Sequence, residues 1–511
     1  MSFPSILFVR PEKYVNDQEL DPPDFFTDLN LDQVIAAVTA DRDEYNLKPF
    51  FYRPLNNADE IEYRHEVMRD LEGEILLERV KLFSEKMRAM REYLAQADAL
   101  HHKYQGEAWF LDAIEVYCDA INCLADDLSR EAPKSRGFKA LQKYLDDYIR
   151  SAGFTSRLEE TKKIKADLAA ARYCVLIKGH TFKVRKYESE DDYSVEVEQT
   201  FEKFKQGDVK DYKLKFPWWP EMNHIEVNIL ESVAKLYPDI FSNLDKFCAE
   251  NRNFVDEAIA VYDREIQFYF AFLDHMAMLT QAGLKFCYPC VTNDSKEVYD
   301  YDGYDLALAH RLIREGSSIV CNDFHLKDEE RIIVVTGPNQ GGKTTFARTF
   351  AQLHYLAALG CPVPGRESQL FLFDRLFTHF EREEDASMMR GKLQDDLIRV
   401  HDILNMATSN SIIIMNEIFT STTLRDAIVL SRKVMEKITE FDSLCVWVTF
   451  IHELAFFSPQ TVSMMSVVVP ENPAVRTFKI LRKPADGLSF AMSIAEKYQL
   501  TYKSIKERIQ L

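Results

Sequence analysis

The sequence predicts a multidomain protein in which an α-helical core, carrying a small β-containing insert, is followed by an α/β domain. Three observations lead to this fold class. Apolar residues recur at three- and four-residue spacing from residue 59 onward, as on the buried face of a helix. Two short β-like runs follow near residue 175. After residue 285, aliphatic runs alternate with helical segments, the pattern of parallel strands joined by crossover helices.

The chain is predicted to begin with a lead-in segment, residues 1–55, in which prolines stand at positions 4, 11, 22, 23, 49 and 54. Prolines at these intervals favour irregular or mixed structure. The helical core follows as residues 56–284, and Val255, Ile259 and Tyr262 keep its helical spacing near the end. Since 511 residues exceed one compact core, several domains are expected.

The insert is predicted at about residues 172–215, where helical spacing gives way to short β-like runs. Residues 173–177 and 181–186 read as short strands, and Lys178-Gly179-His180 between them favours a turn. The α/β domain is assigned to residues 285–511. Its aliphatic runs at 331–336, 411–415 and 443–449 predict parallel strands with helices between them.

A glycine-rich motif of the form GxxxxGK[ST] comes directly after the first of these strands and before a helical segment. Backbone N–H groups in such a loop converge on phosphate oxygens at a helix N-terminus. Lys343 is expected to reach the β- and γ-phosphates of ATP, and the hydroxyl of Thr344 to bind Mg²⁺. The nucleotide-binding residues predicted here are Gly337, Pro338, Asn339, Gln340, Gly341, Gly342, Lys343, Thr344 and Thr345.

The second strand ends in Asn416 and Glu417. In P-loop ATPases the residue at the strand end usually belongs to the Mg²⁺ shell, and a following Glu positions the attacking water. Asn416 offers an amide oxygen without charge, so we expect weaker Mg²⁺ binding than with Asp. Glu417 is the predicted general base. The chain is therefore expected to hydrolyse ATP to ADP and phosphate, and to do so slowly.

The composition indicates a soluble protein, with 63 basic and 82 acidic residues and a net charge of −19. This balance argues against indiscriminate coating of nucleic acid. Nine cysteines without a repeating spacing are typical of reduced thiols, and no apolar run is long enough to cross a membrane. We expect a cytoplasmic location.

A basic stretch nevertheless lies within this acidic chain. From Lys134 to Lys186 there are fourteen Lys or Arg residues against five Asp or Glu. Such arrays neutralise phosphates and release counterions, which gives salt-sensitive binding without sequence preference. The predicted DNA-binding residues lie around the turn of the insert: Lys178, Lys183, Arg185 and Lys186.

The motifs together resemble the MutS-type DNA mismatch repair ATPases, a branch of the ABC-like P-loop proteins. Residues 320–323 and 336–345 are similar to the family's xPND and TGPNxGGKST segments, and residues 374–378 to its DRIFTR segment. Thr422, Thr423 and Asp426 resemble its D-loop region. Thr449 with Glu453 and Leu454 resembles its ATHYFEL segment. The resemblance covers residues 50–511 and is strongest after residue 318.

This resemblance implies a helical core and lever with a clamp that touches DNA, followed by an ABC-type ATPase domain with a C-terminal helix-turn-helix at about residues 490–511. It further implies a homodimer formed through the ATPase domain, and contact between Asn322 and the adenine. Double-stranded or branched DNA is the implied partner. Residues 1–50 are too few for the family's mismatch-recognition domain, so that domain is not expected in this chain.

The chain departs from the family pattern at three points. Asn416 replaces an acidic residue. The serine of the family's STFMxEM segment, which reaches the partner's nucleotide, is absent from residues 391–397, where Lys392 is a candidate substitute. Phe450 stands at the histidine of the ATH motif, and His452, two residues further on, is the candidate catalytic histidine.

The expected function is that of an ATPase clamp of the mismatch repair type, which couples ATP binding and hydrolysis to DNA engagement. Two alternatives stay open. The departures allow a low-turnover clamp on DNA junctions or recombination intermediates, and the acidic total allows an ABC-type ATPase that acts on a protein partner.

Overall fold

The computed structural model describes residues 5–11, 20–179, 181–189, 222–381, 391–469, 472–485 and 499–509. The chain divides into two compact units. One comprises Asp70–Asp263, and the other combines Pro4–Arg69 with Arg264–Leu511. Of the predicted lead-in segment, residues 5–11 and 20–55 lie in the unit that contains the P-loop.

In chain order, the helices of the described residues are α1 Phe25–Asp28, α2 Leu31–Val38, α3 Lys48–Tyr52, α4 Ala58–Leu71, α5 Glu74–Ala99, α6 Lys103–Glu131, α7 Arg136–Ile149, α8 Ala152–Ala170, α9 His224–Leu236, α10 Pro238–Glu250, α11 Glu257–Gln281, α12 Leu306–Arg314, α13 Lys343–Ala358, α14 Lys392–Met406, α15 Leu424–Phe441 and α16 Tyr502–Ile509. Short 3₁₀ turns occupy Asp43–Tyr45 and His452–Phe456.

The strands of the same residues are β1 Tyr173–Lys178, β2 Thr181–Lys186, β3 Phe286–Cys287, β4 Cys290–Thr292, β5 Val298–Gly303, β6 Asn322–Leu326, β7 Ile332–Thr336, β8 Val363–Pro364, β9 Glu367–Phe371, β10 Leu376–His379, β11 Ile412–Asn416, β12 Leu444–Val448, β13 Thr461–Val469 and β14 Asn472–Arg482. The fold therefore combines long helices with mixed sheets.

The unit Asp70–Asp263 is built on two long helices that pack antiparallel. Lys86 of α5 pairs with Asp119 of α6 at 2.7 Å, and Tyr93 of α5 meets Trp109 of α6 with ring centroids 5.0 Å apart. Partner numbers fall along α6 as they rise along α5, as antiparallel packing requires. The buried residues of α5 recur at three- and four-residue intervals and so form one apolar face: Leu76, Val80, Phe83, Met87 and Met90.

The insert begins as an antiparallel hairpin of β1 and β2, in which Lys178 is paired with Thr181. Its base packs on neighbouring helices, because Val184 joins an apolar cluster around Val233 and Phe241 of α9 and α10. The remainder of the predicted insert from residue 190, and His180 in the turn, lie outside the described residues.

The main sheet of the second unit has the strand order β10-β11-β12-β7-β13-β14. The strands from β10 to β13 run parallel, and β14 pairs antiparallel with β13. The predicted parallel arrangement of β7, β11 and β12 is confirmed. All five residues of each of these strands are buried, as expected for a sheet covered on both faces.

Helix α13 follows the glycine-rich loop, and the amino-terminal segment packs directly on it. Arg348 Nε donates to the Asp28 carbonyl and Gln352 Nε2 to the Leu29 carbonyl, each over 2.8 Å. Tyr355 Oη donates to a third carbonyl in this segment. The lead-in segment therefore fixes the helix that carries Lys343 and Thr344.

The described part of the predicted C-terminal helix-turn-helix contains helix α16. Residues 486–498 and 510–511 lie outside the described residues. Within the part of the chain that the structure describes, no helix is both long enough and apolar enough to cross a membrane.

Candidate functional site

The loop between β7 and α13 curls back on itself through three residues with positive φ. These angles are 119° at Gly337, 59° at Gln340 and 90° at Gly342. Glycine reaches such angles without the steric penalty that a side chain adds. The loop thus presents its backbone at the start of α13, the geometry that favours an anion.

Ser466 of β13 supports this loop from beneath. Its buried hydroxyl donates a hydrogen bond of 2.7 Å to the Gly341 carbonyl. A Cβ atom at Gly341 would lie 2.2 Å from Ser466 Oγ, and one at Gly337 would lie 2.9 Å from Ser466 Cβ. Glycine is therefore required at both positions by the close approach of β13.

Lys343 lies in this loop with 4% of its surface exposed. Its ammonium group donates to the carbonyls of Gly337 and Pro338 over 3.1 and 3.2 Å, and to the side-chain oxygen of Asn339 over 3.2 Å. Glu417 Oε1 lies 3.5 Å away. Burial lowers the pKa of Lys343, and the adjacent Glu417 carboxylate opposes that shift.

Thr344 and Asn416 form the oxygen pair of the site. Thr344 Oγ1 donates to Asn416 Oδ1 over 2.9 Å. Mg²⁺ prefers oxygen ligands and commonly takes only one or two from the protein, with phosphates and water completing the shell. The pair fits that demand, although no described cluster of three or more His, Cys, Asp and Glu side chains is placed to hold a metal.

Glu417 follows β11 in a left-handed backbone conformation, with φ of 51°. Its N–H donates to the Val448 carbonyl over 2.9 Å. A residue with a side chain seldom adopts this conformation, and strain of this kind is typically found at functional sites. The turn directs the carboxylate toward Lys343 and the cavity beside the loop.

That cavity has a volume of about 420 Å³. Its lining residues come from four separate stretches of the chain: Leu308, Asn339, Gln340, Gly341, Gly342, Lys343, Thr344, Thr345, Glu417 and Phe478. The structure thus brings most of the predicted nucleotide-binding residues together with Glu417. Leu308 and Phe478 were not predicted, and neither stands in a recognisable motif.

Asn322 lies behind this cavity and not in its lining. Its amide nitrogen donates to the Phe478 carbonyl over 3.2 Å, and its oxygen accepts from the Ile480 N–H over 2.8 Å. Phe478 has φ of 57° and is 49% exposed beside Gly342. Asn322 therefore holds the strand bend that presents Phe478. Its contact with adenine stays a prediction.

His452 begins the 3₁₀ turn after β12 and does not line the cavity. Its Nδ1 atom is buried and has no hydrogen-bond partner within the described residues. Its proposed catalytic role stays a prediction. Lys392, the candidate substitute for the missing serine, pairs with Glu381.

The predicted DNA-binding residues do not share one face of the hairpin. Directly opposed residues in an antiparallel pair project from the same face. The register pairs Cys174 with Arg185, Leu176 with Lys183 and Lys178 with Thr181. Lys178, Lys183 and Arg185 therefore lie on one face.

Lys186 projects from the other face of the hairpin, opposite Tyr173. Its ammonium group lies 4.9 Å from the centre of the Tyr237 ring, a cation–π contact with the loop before α10. The face with Lys186 and Val184 is thus turned toward the helices. The face with the other three cations points away from them.

Comparison with known proteins shows similarity to one family over the part of the chain that contains this site. The model of MutS domain V matches residues 333–510. DNA mismatch repair proteins MutS from Orientia tsutsugamushi (strain Boryong), Halalkalibacterium halodurans and Solibacter usitatus are 27%, 30% and 28% identical to this chain over 215, 193 and 275 residues. These alignments cover 41%, 37% and 52% of the chain and 24%, 22% and 31% of the relatives.

The chain therefore aligns with about a quarter of the length of these curated relatives. The matched family segment contains the glycine-rich loop, Asn416, Glu417 and Phe478, and it includes every lining residue of the cavity except Leu308. Residues 333–510, about a third of the chain, are thus similar to MutS domain V.

Proposed function

We propose that this chain is a DNA-binding ATPase of the MutS mismatch repair type, which couples ATP binding and hydrolysis to its engagement with DNA. One observation carries the proposal. Lys343, Thr344 and Glu417 line one cavity, and Asn416 contacts Thr344 beside it, at the carboxyl ends of the parallel strands β7 and β11.

The proposed chemistry assigns a task to each of these groups. Loop N–H groups and Lys343 bind the β- and γ-phosphates, for which Lys343 exchanges its present carbonyl partners for phosphate oxygens. Thr344 and Asn416 would hold Mg²⁺, which would offset the charge of the phosphates. Glu417 orients a water molecule and accepts its proton as the water attacks the γ-phosphate.

A homodimer through the ATPase domain is part of the proposal. Large apolar side chains are exposed on the described residues of this domain, including Leu424, Phe450 and Phe456. Exposed apolar surface of this kind supports a protein interface. ATP bound between two copies would then link the nucleotide state to association.

The outward face of the hairpin supports the DNA-binding part. Lys178 and Lys183 are exposed there, and Arg185 is partly exposed beside them. No acidic residue lies within either strand of the hairpin. Three cations on one surface suit the phosphates of a duplex or branched DNA.

A low-turnover DNA clamp is the second candidate, and Asn416 favours it. An uncharged ligand in place of a carboxylate weakens the hold on Mg²⁺, and hydrolysis depends on that ion. Steady-state phosphate release measured with and without DNA separates a turning-over enzyme from a clamp.

The central experiment compares Lys343→Ala with Lys437→Ala, a control in which an exposed lysine of α15 loses its pairing with Glu440. We expect Lys343→Ala to abolish ATP hydrolysis and Lys437→Ala to retain it, with both proteins folded by circular dichroism. Wild-type turnover in the folded Lys343→Ala variant would exclude this loop as the active site.

The DNA-binding part is tested by replacing Lys178, Lys183 and Arg185 together with Ala. Duplex affinity should fall, and the slope of log affinity against log salt should flatten by roughly 0.9 for each phosphate that the variant no longer neutralises. Lys186→Ala is the matched control, because its cation is held over Tyr237. If the triple variant keeps both affinity and slope, DNA binds elsewhere.

A further inference from the structure

The outward face of the hairpin has an apolar residue at its centre. Leu176 is 45% exposed and lies directly opposite Lys183. Lys178 is two residues away on the same strand and same face, and Arg185 is the diagonal neighbour across the pair. A leucine surrounded by three cations is an arrangement that phosphate binding alone does not require.

The base of the hairpin is held in place while this face stays open. Tyr237 Oη donates to the Arg172 carbonyl just before β1, and the Tyr187 N–H donates to the same carbonyl over 3.3 Å just after β2. Val184 and Lys186 contact the helices from the opposite face. The hairpin is therefore anchored on one face, so that Leu176 and the cations are presented to a ligand.

We propose that Leu176 is a wedge that inserts between two base pairs of DNA while Lys178, Lys183 and Arg185 bind the phosphates on either side. The proposal rests on the proposed DNA-binding function and specifies how the hairpin engages its ligand. Apolar side chains inserted at a base step unstack it and kink the duplex. The surrounding positive charge favours a polyanion as the ligand of this apolar surface, because an apolar protein partner would remove the exposed ammonium groups of Lys178 and Lys183 from water without compensating their charge.

The structural preference of the protein follows from this arrangement. Unstacking costs least where a step is flexible, mismatched or already open. DNA that contains such a step should bind more tightly than a stiff duplex of equal length and charge. The preference would arise from deformability and not from reading of base edges.

The hairpin supplies its own control, Ile177. This neighbour is 78% exposed, more than Leu176, but it lies on the opposite face, paired with Phe182. Non-specific apolar adhesion would depend more on Ile177. A wedge on the cationic face depends on Leu176. Leu176→Met preserves apolar volume and tests whether volume is what matters.

The experiment measures duplex binding by the full chain over a range of salt, with 2-aminopurine placed at a flexible step to report unstacking. Leu176→Ala should lose roughly tenfold in affinity, as expected when a buried leucine side chain is truncated. Its salt slope should match wild type, because leucine neutralises no phosphate, and the fluorescence rise should disappear. Leu176→Met should restore both signals, and Ile177→Ala should alter neither.

The outcomes separate this inference from the function on which it rests. Salt-dependent binding by wild type together with unaltered affinity and fluorescence in Leu176→Ala would overturn the wedge and keep the DNA-binding proposal. A larger loss in Ile177→Ala than in Leu176→Ala would also overturn it. Absence of DNA binding by wild type would overturn the proposed DNA-binding function itself.

Discussion

The hydroxyl of Thr344 donates a hydrogen bond to the side-chain oxygen of Asn416 over 2.9 Å. This contact joins the first turn of α13 to the end of β11 and brings together the two oxygen atoms suited to a metal ion. Both are uncharged. In the proposed mechanism, nucleotide phosphates and Glu417 would supply the negative charge near Mg²⁺.

Asn416→Asp restores the missing charge, and we expect the Mg²⁺ concentration that gives half-maximal ATPase activity to fall. Replacing a neutral contact by a charged one contributes on the order of 1 kcal/mol or more, which corresponds to about fivefold or more in Mg²⁺. The measurement is a Mg²⁺ titration of phosphate release at saturating ATP. An unchanged midpoint would show that Asn416 lies outside the metal shell.

The support of the loop by Ser466 gives a second prediction. Gly341→Ala should weaken ATP binding, because its new Cβ would lie 2.2 Å from Ser466 Oγ and force the loop to shift. Adding Ser466→Ala removes that hydroxyl, so the double variant should recover part of the affinity. Recovery should be incomplete, since the Pro338 carbonyl would still lie 2.9 Å away.

Fluorescent-nucleotide titrations of wild type, both single variants and the double variant measure this coupling directly. Additive losses would mean that Ser466 and Gly341 do not interact through the contact described. Ser466→Ala alone should cost less than Gly341→Ala, because it deletes one hydrogen bond without creating a clash.

The sequence predicted the site residues that come directly after the aliphatic strands β7 and β11, but not the residues that β13 and β14 contribute. Lys343 and Thr344 lie in the glycine-rich motif after β7, and Glu417 directly follows β11. The amino-acid type at each of these positions indicates its chemical role. Ser466 and Phe478 lie more than a hundred residues after the loop. They reach it only because β13 pairs with β7 and β14 follows β13 in the sheet.

In the hairpin, strand alternation predicts which cations share a face, whereas the local count of charges does not. Because Lys178 pairs with Thr181, strand alternation places Lys183 and Arg185 on the face of Lys178 and places Lys186 on the opposite face. The clustering of basic residues in the hairpin was predictable from the sequence. The contact of Lys186 with Tyr237 depends on a helix some fifty residues away in the chain, which periodicity cannot locate.

A third prediction concerns pH and the fully buried carboxyl group of Asp300 in β5. Burial raises the pKa of Asp300 from 3.8 to about 8, with a smaller opposing effect from the nearby Ser368 hydroxyl. Between these values the folded chain retains a proton that the unfolded chain releases. The contribution of Asp300 to stability therefore falls as pH rises through this window and levels off above about pH 8.

Asp300→Asn removes this titration while keeping the size of the side chain. The free energy of unfolding of the variant, relative to wild type, should increase from pH 6 to pH 9. Urea denaturation at both values measures the change, and Asp294→Asn in the exposed loop after β4 is the control. A difference between Asp300→Asn and wild type that stays constant with pH would contradict the burial argument.

The last prediction joins the chemistry to assembly through Glu417. Glu417→Gln keeps the shape of the side chain but removes its ability to accept a proton, and loss of a general base typically lowers turnover by about 10²–10⁴-fold. ATP should still bind, because the loop amides, Lys343 and Thr344 are unchanged and the 3.5 Å contact that competes for Lys343 loses its charge. Unhydrolysed ATP should then hold two copies together, so the variant should be more dimeric than wild type by light scattering with ATP and equally monomeric without it. Glu440→Gln, at an exposed site on α15, is the matched control and should resemble wild type. Undiminished turnover would remove Glu417 from the chemistry, whereas slow turnover with ATP-independent association would retain it as the base and exclude ATP-driven dimerisation.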